Sequence, residues 1–127
     1  MRVILVRHAE AAQGDPDDLR PLTDAGLETA RRLAEQLAGE RPAAVVSSPL
    51  LRARQTAEAI AAASGVAPQV DDRLAPGAGV DDVRAAVAGR GEPVVIVGHQ
   101  PDCGDVVLAL TGRDVRFPPG GIAEVSL

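Results

Sequence analysis

Only two histidines occur in this 127-residue chain, and each stands directly after a run of aliphatic residues. His8 closes "VILVRH" and His99 closes "VVIVGH". Imidazole is the side chain best matched to nucleophilic or acid–base work near neutral pH. One histidine in such a place reads as exposed or satisfied in a core; two of two at strand tips point to a shared task. Arginine supplies the complementary chemistry. Arg7 sits beside His8, where its bland reading is a strand-end charge turned to water. Arg52 falls in the first turn of a helical pattern, where the positive end of the helix dipole disfavours a cation. A guanidinium there is either an exposed side chain reaching away or half of an anion site completed by free N–H groups. Arg54 takes the bland role.

Taken together, Arg7, Arg52 and a helix N-terminus describe a pocket for a doubly charged oxyanion, most naturally phosphate. All 13 basic residues are arginine, so any such pocket is built from guanidinium forks. In it, a neutral imidazole can attack phosphorus and form a phosphohistidine. The second histidine, if protonated, adds positive charge against the phosphoryl oxygens in the transition state. The spacings suggest no zinc site, and this chemistry requires no metal and no cofactor.

These side chains need a frame that brings them together. "VILV" (3–6), "AAVVSS" (43–48) and "PVVIVG" (93–98) are continuous aliphatic runs, the mark of parallel strands covered on both faces. Helical patterns separate them. One runs from Thr23 as N-cap to a stop at Gly39; another starts with Ser48 as N-cap and Pro49 in the first turn and stops at Gly65. Shorter helices are predicted over 80–89 and from "GHQPDCG" to about 111, with "GIAEVSL" as a final, edge strand. Stretches 14–21, 75–79 and 117–121 read as loops within one domain, residues 1–127. Alternating strands and helices predict an α/β three-layer sandwich with a mostly parallel central sheet. In such sheets ligands sit beyond the carboxyl ends of the strands, where both histidines fall.

Composition narrows the partners. A net charge of −5 and a single aromatic residue, Phe117, argue against nucleic acid. No apolar run approaches a membrane span and no signal peptide is visible. With Cys103 the only cysteine, no internal disulfide is possible, and a cytoplasmic location is expected. Cys103 itself reads as a small packing residue, and "GDPDDLR" (14–20) as a solvated acidic loop.

"LVRHAE" (5–10), "SSPLLRARQTAE" (47–58) and "VIVGHQP" (95–101) resemble, in order, the signature blocks of the histidine phosphatase, or phosphoglycerate-mutase-like, superfamily. "RPLTDAG" (20–26) and the short chain are similar to its smallest branch, the SixA-type phosphohistidine phosphatases. The resemblance implies His8 as phosphoacceptor, Arg7 and Arg52 as phosphate clamps and His99 as the second pocket histidine. It also implies a backbone N–H near Gln100 as a weaker phosphate contact. Three positions depart from the family pattern. Ala9 replaces the usual glycine, adding a methyl that crowds the nucleophile's turn. The chain has no asparagine for the downstream position of the mutase-like branches. "DRLAPGAG" (72–79) lacks the carboxylate of the mutases, and His99 is followed by Gln100, not aspartate.

An alkoxide leaving group needs a general acid, whereas the imidazole of phosphohistidine can leave as a neutral ring. Glu10, Asp81, Asp82 and Asp102 are the available donors, each more simply read as a cap or a solvated carboxylate. The expected function is therefore metal-independent hydrolysis of phosphohistidine on a phosphorylated protein, such as a phosphotransfer domain. The competing readings are a phosphomonoesterase for a small phosphorylated molecule and a non-catalytic phospho-binding module.

Overall fold

The three aliphatic runs become the interior of one five-stranded sheet in the computed structural model, which describes residues 1–127. Its strands are β1 (Arg2–Arg7), β2 (Ala44–Ser47), β3 (Pro68–Val70), β4 (Val94–Gly98) and β5 (Ile122–Ser126), in the order β3-β2-β4-β1-β5. All neighbours are parallel except β5, which runs antiparallel along the outer edge of β1. Four helices complete the chain: α1 (Asp24–Ala38), α2 (Leu51–Ser64), α3 (Val80–Val87) and α4 (Asp102–Thr111).

The aliphatic runs are unbroken because both faces of the sheet are buried. Val3, Leu5, Val94 and Ile96 pack on one side against Val83 and Val87 of α3 and Val106 and Val107 of α4. Ile4, Val6, Val95 and Val97 pack on the other against Leu33 and Leu37 of α1 and Ala57 and Ile60 of α2. The result is the expected three-layer sandwich. No helix is long and apolar enough to cross a membrane.

Two boundaries differ from the sequence reading. Helix α2 begins at Leu51, with Leu50 in the cap position, so Ser48 and Pro49 precede it. The Ser48 hydroxyl accepts the Leu50 N–H at 3.2 Å, closing a turn before the helix rather than capping its first turn. Strand β3 was not expected: three exposed residues at the sheet edge carry no hydrophobic alternation. The helix stops hold more closely, with Gly65 left-handed at φ 72° after α2.

Register decides where the histidines go. Arg7 lies opposite Gly98, so His8 and His99 leave the sheet at the same level. The ladder continues one step further, with the His8 N–H donating to Gly98 O and the Ser48 N–H to Val97 O, each at 3.0 Å. The chain after His8 is then pressed onto the start of α1. The Thr23 N–H donates to Glu10 O at 3.0 Å, while Thr23 Oγ1 accepts the Gly26 N–H at 3.0 Å as the expected N-cap. A side chain at Gly26 would collide with the Glu10 carbonyl. Gly26→Ala should therefore destabilise the fold by about 1–3 kcal/mol, read from the denaturant midpoint. An unchanged midpoint would contradict this close approach.

Candidate active site

Beyond the carboxyl ends of β1, β2 and β4 lies an open pocket of about 440 Å³, lined mainly by polar side chains. Arg7, His8, Arg52, His99 and Gln100, named separately from the sequence, all line it. Glu10, Asp17 and Arg20 join them.

His8 is held by the residue that follows it. Its Nδ1 lies 2.7 Å from the Ala9 carbonyl oxygen. A carbonyl only accepts, so Nδ1 carries the proton and Nε2 keeps its lone pair. Ala9 is fixed in turn. Its N–H donates to Thr56 Oγ1 at 3.1 Å, and the Thr56 hydroxyl donates to the Arg52 carbonyl at 2.9 Å. The Ala9 methyl does not crowd the turn but is buried against Leu22 and Ala30. Gln55 Oε1 accepts the Leu22 N–H at 2.7 Å, so Gln55 and Thr56 of "RARQTAE" both anchor the segment after His8.

The arginines are anchored by carbonyls. Arg7 donates from one terminal nitrogen to Phe117 O at 2.9 Å. Arg52 donates to the Asp17 carbonyl at 2.8 Å and to its carboxylate at 3.2 Å. The Nε of each arginine is buried without a partner. Such a donor costs about 1–3 kcal/mol when left unpaired, and an oxyanion in the pocket would answer it. Arg54 stays outside, donating to the Pro49 carbonyl at 3.0 Å.

His99 sits across from His8 with ring centroids 5.3 Å apart, its Nε2 2.7 Å from the Ser48 hydroxyl. Burial, then the neighbouring His8 and Arg52, lower its pKa from 6.5 to about 4. Burial also lowers that of His8, helped by Arg52 and Arg7 and opposed by the Ala9 hydrogen bond. Both rings are neutral at pH 7. The Gln100 side chain accepts the Gly104 N–H at 2.8 Å, while its backbone N–H has no acceptor in the protein. Cys103 is buried, and burial pushes its thiol up to about 12, as suits a packing residue.

The loop expected to be merely solvated contributes most of what the sequence missed. Asp17 lies in a single 3-10 turn, Asp17–Leu19, and its carboxylate reaches both Arg52, at 3.2 Å, and Arg20 Nε, at 3.0 Å. The bond to Arg52 is the main reason its carboxyl titrates below the usual range. The Asp-x-x-Arg spacing of Asp17 and Arg20 was the available signal, but nothing in it foretells a meeting with residue 52. Among the suggested proton donors, Asp102 accepts the Gly77 N–H at 2.8 Å and Asp82 the Gly79 N–H at 2.9 Å. Asp81 is exposed and away from the pocket. Glu10 alone of the four lines it.

This architecture is that of a known family. Residues 3–76 match the histidine phosphatase superfamily (branch 1). Phosphohistidine phosphatase SixA of Escherichia coli K12 is 32% identical over the whole chain and 86% of that protein. A Picosynechococcus protein of uncharacterized function is 37% identical over 96% of the chain and 82% of its own length. The structure of the protein histidine phosphatase SixA complexed with tungstate superposes with a TM-score of 0.86 at 33% identity, covering all of this chain and 88% of that one. The chain therefore belongs to the histidine phosphatase superfamily, in its SixA-type branch, and is a phosphatase.

The two depressed histidines have a consequence for stability. An unfolded imidazole takes up its proton near 6.5, but the folded rings stay neutral until lower pH, so the unfolded state binds more protons in between. Stability should fall as pH drops from 6.5 toward about 4. Melting curves across this range should show that decline in the wild type and a shallower one in His99→Gln. Identical slopes would contradict the assignment of a neutral, buried His99.

Proposed function

We propose that this protein hydrolyses phosphohistidine on a partner protein, through a phosphohistidine formed on its own His8, with no metal or cofactor. The observation that carries the reading is the Nδ1–H bond from His8 to the Ala9 carbonyl, which leaves Nε2 unprotonated beside two arginines with unpaired Nε donors. In the first step the Nε2 lone pair attacks phosphorus and the bond from phosphorus to the substrate nitrogen breaks. The substrate imidazole, which carries a proton on its other ring nitrogen, leaves as a neutral ring. The phosphorylated His8 ring is then cationic, and the Ala9 carbonyl that accepts its Nδ1–H steadies that charge. In the second step water attacks phosphorus, Nε2 recovers its lone pair and inorganic phosphate departs.

Arg7 and Arg52 hold the phosphoryl oxygens, with the Gln100 N–H as a further donor. His99 is held neutral mainly by burial, with Arg52 and Arg7 adding to the effect, and a phosphoryl dianion beside it favours the protonated ring. Among the pocket carboxylates, Asp17 is committed to two arginines, leaving Glu10 as the one without a partner. A site of this kind suits a leaving group that needs no strong acid. The openness of the pocket suits a side chain presented on another protein, and the name of the Escherichia coli relative supports the same substrate class. The reading takes residues 1–127 as one catalytic domain working in the cytoplasm.

A panel of a phosphohistidine-bearing protein, phosphoramidate and common phosphomonoesters tests this. The wild type should turn over the first two far better than the esters, and His8→Ala should turn over none. Glu10→Gln should keep phosphoramidate hydrolysis within about threefold, whereas loss of a required general acid would cost about 10²–10⁴-fold. Turnover of esters alone would establish a small-molecule phosphomonoesterase instead, and phosphate binding without any turnover would establish a binding module.

A further inference from the structure

Arg20 and Arg52 line the same pocket, and their like charges would push them apart without an anion between them. Asp17 supplies it, with Oδ1 3.0 Å from Arg20 Nε and Oδ2 3.2 Å from a terminal nitrogen of Arg52. The Asp17 carbonyl takes the other terminal nitrogen of Arg52 at 2.8 Å. One residue thus occupies the end-on fork of Arg52, the edge formed by its two terminal nitrogens. The side-on fork, Nε with the second hydrogen of its neighbouring nitrogen, stays uncommitted, and Nε has no partner in the protein. A guanidinium is a rigid plane, so fixing one edge fixes the direction of the other.

We infer that Asp17 is a positioning residue that seats the end-on fork of Arg52, ties Arg20 beside it, and thereby aims the side-on fork of Arg52 at the phosphoryl group. The inference rests on the reading that Arg52 grips that group. Stability is a poor alternative explanation. The ion pair joins a 67% exposed Asp17 side chain to a 7% exposed Arg52. Arg52 keeps its bond to the Asp17 carbonyl when the carboxylate is removed, so the solvated carboxylate contributes little to folding. The two effects of the carboxylate on an anion have opposite signs. As a mere negative charge beside the pocket it repels phosphate, and removing it would tighten binding. As the support of Arg52 it favours phosphate, and removing it would weaken binding.

Titration with inorganic phosphate and steady-state hydrolysis of phosphoramidate, on the full chain, separate these. Asp17→Asn should bind phosphate more weakly and lower kcat, each on the order of tenfold, with an unchanged melting midpoint. Asp17→Glu should recover part of both losses. In an Arg52→Lys background, which has no fork to aim, Asp17→Asn should cause no further loss of phosphate affinity. Tighter or unchanged binding with kcat retained, or an equal loss in both backgrounds, would overturn the inference. Full activity in Arg52→Lys alone would instead remove the underlying reading of Arg52, and this inference with it.

Discussion

The parallel register of β1 on β4 is the constraint from which the site follows. Arg7 opposite Gly98 means that two chain segments about ninety residues apart end at one height, and the His8 N–H to Gly98 O bond carries that alignment past the strand. A slip of one residue would turn every side chain of β1 to the other face and move His8 away from His99. Burial of both faces makes such a slip costly, since Ile4 and Val6 are packed on one side and Val3 and Leu5 on the other. The hydrophobic core therefore does more than hold the fold; it fixes the distance between the two imidazoles.

Once the rings are delivered, backbone carbonyls settle their chemistry. The Ala9 oxygen chooses the tautomer of His8, and the Phe117 and Asp17 oxygens fix the arginines. The Ala9 carbonyl belongs to a short segment tied back to α1 and α2, through Thr23, Gln55 and Thr56. Thr23 of "RPLTDAG" and Gln55 and Thr56 of "RARQTAE" thus support the segment after His8, while Arg20 and Arg52 of the same blocks face the pocket. The buried, unpartnered Nε groups of Arg7 and Arg52 beside two neutral imidazoles make the pocket favourable to a phosphoryl dianion.

How much of this could be read in the sequence follows from the range of each interaction. The central strands were legible because two-faced burial writes itself as "VILV" and "VVIVG", and the strand tips placed His8 and His99 at the correct sheet edge. Arg52 was legible because a cation in a first helical turn is a local anomaly. The rest depended on contacts that leave no local trace. Ser48 looks like an N-cap, yet its hydroxyl serves Leu50 and His99, two and fifty-one residues away. Asp17 looks like one acid among several in a solvated loop until the fold brings it to Arg52. Strand β3 is three exposed residues whose pairing with β2 is made wholly by backbone. Ala9 looked like an intrusion because the neighbours that accommodate its methyl, Leu22 and Ala30, come from elsewhere in the chain.

The central claim, that His8 becomes covalently phosphorylated, is open to direct observation. Phosphohistidine survives base and is lost in acid, so enzyme mixed with radiolabelled phosphoramidate can be quenched in alkali within milliseconds and digested. The account predicts transient label on the peptide containing His8, decaying as phosphate is released, and none in His8→Ala. Full turnover with no label on the protein, or label on His99 instead, would contradict it.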